Sequence, residues 1–126
     1  MSKPQSAPDT EQPLSVLRPS LQFSFGPERR LGPGKIALLE QIIATGSISA
    51  AGRSMGMSYR RAWLLIDAVN KMFAEPVVVA AAGGAHGGGA IVTENGRRLV
   101  AAYRAVEKRA LKDARTAFAG LGLAPE

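Results

Sequence analysis

Four side chains in a row, Ser58, Tyr59, Arg60 and Arg61, follow a glycine turn in the segment GSISAAGRSMGMSYRRAWLLIDAVN, from Gly46 to Asn70. Hydroxyls and guanidinium groups at the start of a helix suit one kind of chemistry. The leading end of a helix carries orphan amides and a partial positive charge, and both attract phosphate. An arginine on its outer side can grip O6 and N7 of guanine with two bonds, worth roughly 1–3 kcal/mol in discrimination. Arg60 is the better base reader, because it lies opposite the apolar stripe. Ser58 and Tyr59 are donors to phosphate, and Arg61 adds charge. No acidic residue falls between Glu40 and Asp67, whereas Arg53, Arg60 and Arg61 all do. Trp63 has two readings, stacking on sugar or backbone and packing at the helix flank. Asp67 is placed to pair with Lys71 one turn on.

Two further stretches extend this surface. The glycine run from Gly83 to Gly89 lets a hairpin tip come close to a ligand, so Gly84, His86 and Gly87 are candidate contacts. His86 is its one polar side chain. Arg97 and Arg98 open the last helix beside that hairpin, and Arg97 joins the candidates. The run is no P-loop, since no Lys-Ser or Lys-Thr follows its last glycine and a strand comes next.

The elements that position these groups are legible from apolar spacing. Leu21, Phe23 and Phe25 alternate with Gln22 and Ser24, which predicts a short edge strand stopped by Gly26 and Pro27. A first helix runs from Pro33 or Gly34 to Gly46, with Ile36, Leu39, Ile42 and Ile43 on one face and Leu38 beside them. Ser47 caps a short second helix, Ile48 to Met55, whose Ala51 and Gly52 allow a close crossing. Gly56 supplies the turn. A third helix follows Ser58 and runs through Phe73, with Ala62, Ile66, Val69 and Phe73 inward and Leu65 at the margin. Val77 to Ala82 and Ala90 to Val92 read as a hairpin. Thr93 caps a final helix to about Ala119, striped by Leu99, Val100, Tyr103, Val106, Ala110, Leu111, Ala114 and Phe118. That stripe is longer than a small core needs, so part of it is expected to meet a second subunit.

The fold class that results is mainly α with a small β component, a winged helix-turn-helix with a long C-terminal helix. Residues 21–120 are expected to form the DNA-binding domain with its dimerisation helix, 1–20 a disordered tail and 121–126 a frayed C-terminus. At 126 residues the chain has room for one domain, and its 46% apolar share is enough for a core poor in aromatics.

Composition excludes several classes. The formal charge of +6 points to a polyanionic partner, nucleic acid before an anionic membrane. Cysteine is absent and histidine single, which leaves no disulfide framework and no metal site. No nucleophile–base pair or close carboxylate pair appears, so neither an enzyme nor a cofactor is expected. No run approaches the roughly 20 apolar residues of a membrane span. The N-terminus lacks the apolar core of a secretory signal. No membrane contact is expected, and the cytoplasm is the simplest location.

The segment from about Phe25 to Arg109 resembles the DNA-binding domain of ModE-type molybdate-responsive transcription regulators, whose helix-turn-helix is similar to that of LysR-type regulators. The resemblance rests on Gly46-Ser47-Ile48-Ser49, Met57-Ser58-Tyr59-Arg60, Ala62-Trp63, the wing GGAHGGGA, and Thr93 with Gly96-Arg97-Arg98-Leu99. It implies a homodimer on a roughly palindromic duplex site, with Ser58, Tyr59, Arg60 and the wing touching DNA. The family wing often carries a lysine where Ala85-His86 stand here. Members also carry separate C-terminal molybdate-binding domains. This chain ends at Glu126, so molybdate binding is not expected of it. The resemblance fits a stand-alone protein or one domain of a longer one. Two other readings compete: a winged-helix protein-interaction module, and a ligand-responsive regulator with an effector site in the dimer interface.

Overall fold

The computed structural model describes residues 16–81, 89–122 and 124–125. The chain divides into two compact units, one of residues 21–104 and one of residues 1–20 with 105–126. The first contains β1 (Phe23–Ser24), β2 (Arg30–Leu31), α1 (Pro33–Thr45), α2 (Ile48–Ser54), α3 (Tyr59–Asn70), β3 (Val78–Ala80) and β4 (Ala90–Val92). The last helix, α4 (Glu94–Phe118), starts in this unit and continues through the second. The molecule is mainly helical with a small β component, and its C-terminal helix is its longest element.

Helix α1 is the centre of the core. Ile36, Leu38, Leu39 and Ile42 are all buried, so the apolar face is wider than the expected stripe and takes in Leu38. Ile43 is only partly buried against the cluster. Gly46 stops the helix in the left-handed region, φ 71°, with its N–H donating to the Ile42 carbonyl. Ser47 then caps α2, its hydroxyl accepting from the Ala50 N–H at 3.1 Å.

Helices α2 and α3 cross closely because their contact is made of small residues. A Cβ on Gly52 would lie 3.1 Å from the Ala62 Cβ and 3.3 Å from the Met57 carbonyl oxygen. Gly56, at φ 71°, makes the turn between them, a backbone state that other residues adopt at a cost of about 1 kcal/mol. Ala62, Ile66 and Val69 of α3 face the core as spaced.

Several boundaries differ from the sequence-based expectation. The strand expected over Leu21 to Phe25 is reduced to Phe23–Ser24, and it pairs with a return strand at Arg30–Leu31 that alternation does not reveal. Gly26, Pro27 and Glu28 form the loop between them, with Glu28 itself at φ 61°. Helix α3 stops at Asn70, short of Phe73. There the Met72 N–H turns to the Val69 carbonyl at 3.0 Å, tightening the last turn. Phe73, beyond the helix, packs edge-on to Phe25 at 5.8 Å. Helix α2 ends one residue early, at Ser54, and α4 at Phe118.

β3 and β4 pair antiparallel, Val78 with Val92, Val79 with Ile91 and Ala80 with Ala90. Val78, Ala90 and Val92 point inward, whereas Val79 and Ile91 are exposed. β4 is also bonded to the helix-turn-helix: the Ala90 N–H donates to the Gly46 carbonyl at 3.1 Å, and Ser47 bridges Gly89. Thr93 caps α4, accepting from the Gly96 N–H at 3.0 Å and donating to the Pro76 carbonyl at 2.7 Å.

Near the end of the first unit, α4 is tied down twice. The Tyr103 hydroxyl donates to the Leu21 carbonyl at 2.6 Å, and its ring meets Phe23 edge-on at 6.0 Å. Arg104 grips Glu40 with a fork, Nε to Oε2 at 3.0 Å and Nη2 to Oε1 at 2.6 Å. That hydrogen bonding holds the Glu40 carboxyl below its usual range, against a smaller opposing effect of burial. Because the folded pKa is depressed, the pair's stabilisation is present above the unfolded value and is lost as pH falls through the acidic range. With the side chains 39% and 38% exposed, solvent screening limits it to about 0.5 kcal/mol. Glu40→Gln should therefore cost about 0.5 kcal/mol in urea unfolding at pH 7 and progressively less as pH falls into the acidic range. A cost that does not shrink as pH falls assigns the effect to packing.

Candidate nucleic-acid interface

Ser58 sets the geometry of the leading end of α3. Its backbone is extended, and its hydroxyl oxygen accepts from the Arg61 N–H at 3.1 Å. The hydroxyl hydrogen stays available to an acceptor outside. With Ala62, Ile66 and Val69 inward, Ser58, Tyr59, Arg60, Arg61, Trp63 and Leu64 are all exposed on the same helix. Tyr59 is 51% and Trp63 46% exposed, too open for either ring to be a core residue. The packing reading of Trp63 accordingly gives way to a surface one. Asp67 is engaged as spaced, with Lys71 Nζ at 2.9 Å.

Tyr59 and Trp63 share a recess of about 250 Å³ with Asp67, Val79, Ala80 and Gly89, so the outer side of α3 and the base of the β3–β4 hairpin face one cleft. Arg53 is exposed on α2, where its Nη1 donates to the Ser49 hydroxyl at 3.0 Å. Arg97 is exposed in the first turn of α4. Neither of the two lines this recess. The hairpin candidates Gly84, His86 and Gly87 lie outside the described residues. Among the described residues no group of three His, Asp or Glu side chains is placed to hold a metal ion.

Three residues that sequence reasoning missed bear on this surface. Asn70, at the end of α3, holds the start of β3: its Oδ1 accepts from the Val77 N–H at 2.8 Å and the Val78 N–H at 3.2 Å, and its Nδ2 donates to the Val78 carbonyl at 3.0 Å. No local pattern marks a residue whose partners are seven and eight positions on. Arg30 and Lys35 flank the Gly32-Pro33-Gly34 entry to α1 and line a second recess with Arg61. Their signal was basic character next to a helix start.

A helix-turn-helix followed by an antiparallel strand pair, with arginines on the exposed end of its second helix, defines the general class of this domain. No family model matches the chain. Individual relatives do. It is 48% identical over 92 residues to the molybdenum transport protein ModE of Azotobacter vinelandii, covering 73% of this chain and 33% of that protein. It is 42% identical over 97 residues to the molybdenum-pterin-binding protein MopA of Rhodobacter capsulatus, 77% of this chain and 36% of that one. It is 41% identical over 71 residues to the DNA-binding transcriptional dual regulator ModE of Escherichia coli K12, 56% of this chain and 27% of that protein. Over these 71–97 residues the chain is similar to ModE and MopA proteins, and it spans about a third, or less, of the length of these relatives. The relatives' names are those of regulators, a transport protein and molybdenum-pterin-binding proteins. No helix among the described residues is long and apolar enough to cross a membrane.

Proposed function

We propose that the chain is a sequence-specific DNA-binding transcription regulator whose helix α3 enters the major groove of duplex DNA. The observation that carries this reading is the exposed, acid-free row Ser58, Tyr59, Arg60 and Arg61 at the capped start of α3. Arg60 reads a base. Ser58, Tyr59, Arg53, Arg61 and Arg97 hold phosphates, and Trp63 lies against sugar or backbone. The strand pair β3–β4 serves as the wing. The name of the Escherichia coli relative, a DNA-binding regulator, supports the same assignment.

The working form is a homodimer. Along the second part of α4, Val106, Ala110, Leu111 and Ala114 are half-buried and Phe118 is exposed, a face that a second copy would cover. Two-fold symmetry then places half-sites one helical turn apart, ~34–36 Å. The name of MopA attaches molybdenum to that protein. Calorimetric titration of this chain with molybdate tests whether any of that binding lies in the shared segment.

Arg60→Ala is the decisive variant. Selection of bound duplexes from a random pool, repeated with the variant, should lose preference at one base pair per half-site. The expected penalty on the best duplex is about 2 kcal/mol, or ~30-fold in Kd, with little change on random duplex. Equal weakening on every sequence makes Arg60 a phosphate contact, and absence of duplex binding by the unmodified chain removes the reading.

A further inference from the structure

Arg30 from β2, Lys35 from α1 and Arg61 from α3 line one recess of about 240 Å³, together with Gln22, Gly34 and Leu65. No carboxylate lines it. The ion pairs Asp67–Lys71 and Glu40–Arg104 involve none of these three cations. The Lys35 Nζ donates to the Arg30 carbonyl at 2.6 Å, which places the ammonium beside β2. Burial and, second to it, the neighbouring Arg30 charge lower the Lys35 pKa. The backbone adds to the same field. Gly32 offers no side-chain cap to α1, and the first turn of that helix contains no acidic residue. Gathering cations from three elements around an acid-free opening costs electrostatic energy in the free protein, and a bound anion relieves it.

We infer that this recess is a binding site for a phosphate-type oxyanion, filled in the regulator's complex by a backbone phosphodiester of duplex DNA. The inference rests on the DNA-binding reading above, and Arg61 gives the reason for choosing the phosphodiester. It lines the recess and sits beside Arg60 on α3, so a duplex read by Arg60 brings its backbone to Arg61. The contact surface thus extends from α3 onto the entry of α1 and the β1–β2 hairpin. Arg30 and Lys35 join it as phosphate contacts that position the protein without reading sequence.

The test uses the full chain with Arg30→Gln, Lys35→Gln and the double variant. Fluorescence anisotropy measures affinity for the selected duplex and for a random duplex between 50 and 200 mM salt, conditions over which counterion release is resolved. The double variant should lose affinity by about tenfold on both duplexes, and its slope of log K against log salt should fall by about 1, as for one lost phosphate contact. An unchanged slope and affinity, with Arg60→Ala still losing its base preference, overturns the phosphodiester site and leaves the DNA reading standing.

A second measurement covers variants that fail to fold and separates the two sources of oxyanion. The unmodified chain is titrated with inorganic phosphate while the amide resonances of Gly34 and Lys35 are followed. Saturable shifts that the duplex competes away support the site. Saturable shifts that duplex binding does not displace make it a site for a free oxyanion and overturn the backbone assignment. No shift with phosphate or with duplex overturns the site altogether. If no duplex binds while phosphate still shifts both amides, the DNA reading has failed and the oxyanion site has survived it.

Discussion

Gly96→Ala is expected to lower the free energy of unfolding by about 3 kcal/mol or more, the upper end of what overpacking costs. A Cβ on Gly96 would lie 2.3 Å from the Val77 carbonyl oxygen and 2.6 Å from the Val92 Cγ1. Neither neighbour can yield. Val77 is buried, and its carbonyl is engaged by the Thr93 N–H at 2.9 Å. Val92 is a core residue of β4. Space for the methyl group comes only from lifting the first turn of α4 off the hairpin, which also breaks the Thr93 cap. Since small domains are stable by only about 5–15 kcal/mol, much of the variant is expected to be unfolded in mild denaturant. Gly34→Ala is the control, because nothing lies within 4 Å of a Cβ there and the position is helical. It should be neutral or gain about 0.5 kcal/mol. Urea unfolding of both variants checks the pair; equal midpoints would show that the helix start is not tightly seated.

Asn70→Ala comes second, at about 3 kcal/mol. The side-chain amide satisfies two N–H groups and one carbonyl of Val77 and Val78, residues that are buried and out of reach of water. Removing it leaves those donors without a partner, at about 1–3 kcal/mol for each unsatisfied group. The helix itself should persist, since Asn70 ends α3 and contributes nothing to its inner face. A large fall in the urea midpoint with near-native far-ultraviolet dichroism before unfolding is the expected result. A drop below 1 kcal/mol would mean that β3 finds other partners.

These two residues also mark what the sequence withholds. The helix-turn-helix is written locally. Ser47 and Ser58 cap as their positions suggest, Gly46 and Gly56 take the left-handed backbone, and Asp67 meets Lys71, each contact spanning no more than four residues of chain. Asn70 reads as one more polar helical residue because its partners lie in the next element. The inward spacing of Val69 and Phe73 extends α3 on paper, yet the chain turns after Asn70 to bring Val77 back, and Phe73 finds Phe25 instead. The return strand Arg30–Leu31 is too short to show any period, and it exists because Phe23 and Ser24 offer an edge.

The site divides in the same way. Exposure of Ser58, Tyr59, Arg60 and Arg61 follows from helical spacing against the buried Ala62, Ile66 and Val69. Trp63 was not settled by spacing, because a flank position is compatible with packing or with solvent. Arg30 and Lys35 were illegible as partners of Arg61, since only the folded chain brings the start of α1 to the side of α3.

The bond from the Ala90 amide to the Gly46 oxygen, with the Ser47–Gly89 bridge beside it, has a mechanical consequence. It ties the root of the hairpin to the entrance of α2, so a displacement of β4 is handed directly to the helix that Ser47 opens. Under the proposed function, the foot of the wing and the helix preceding α3 would therefore meet a duplex as one piece.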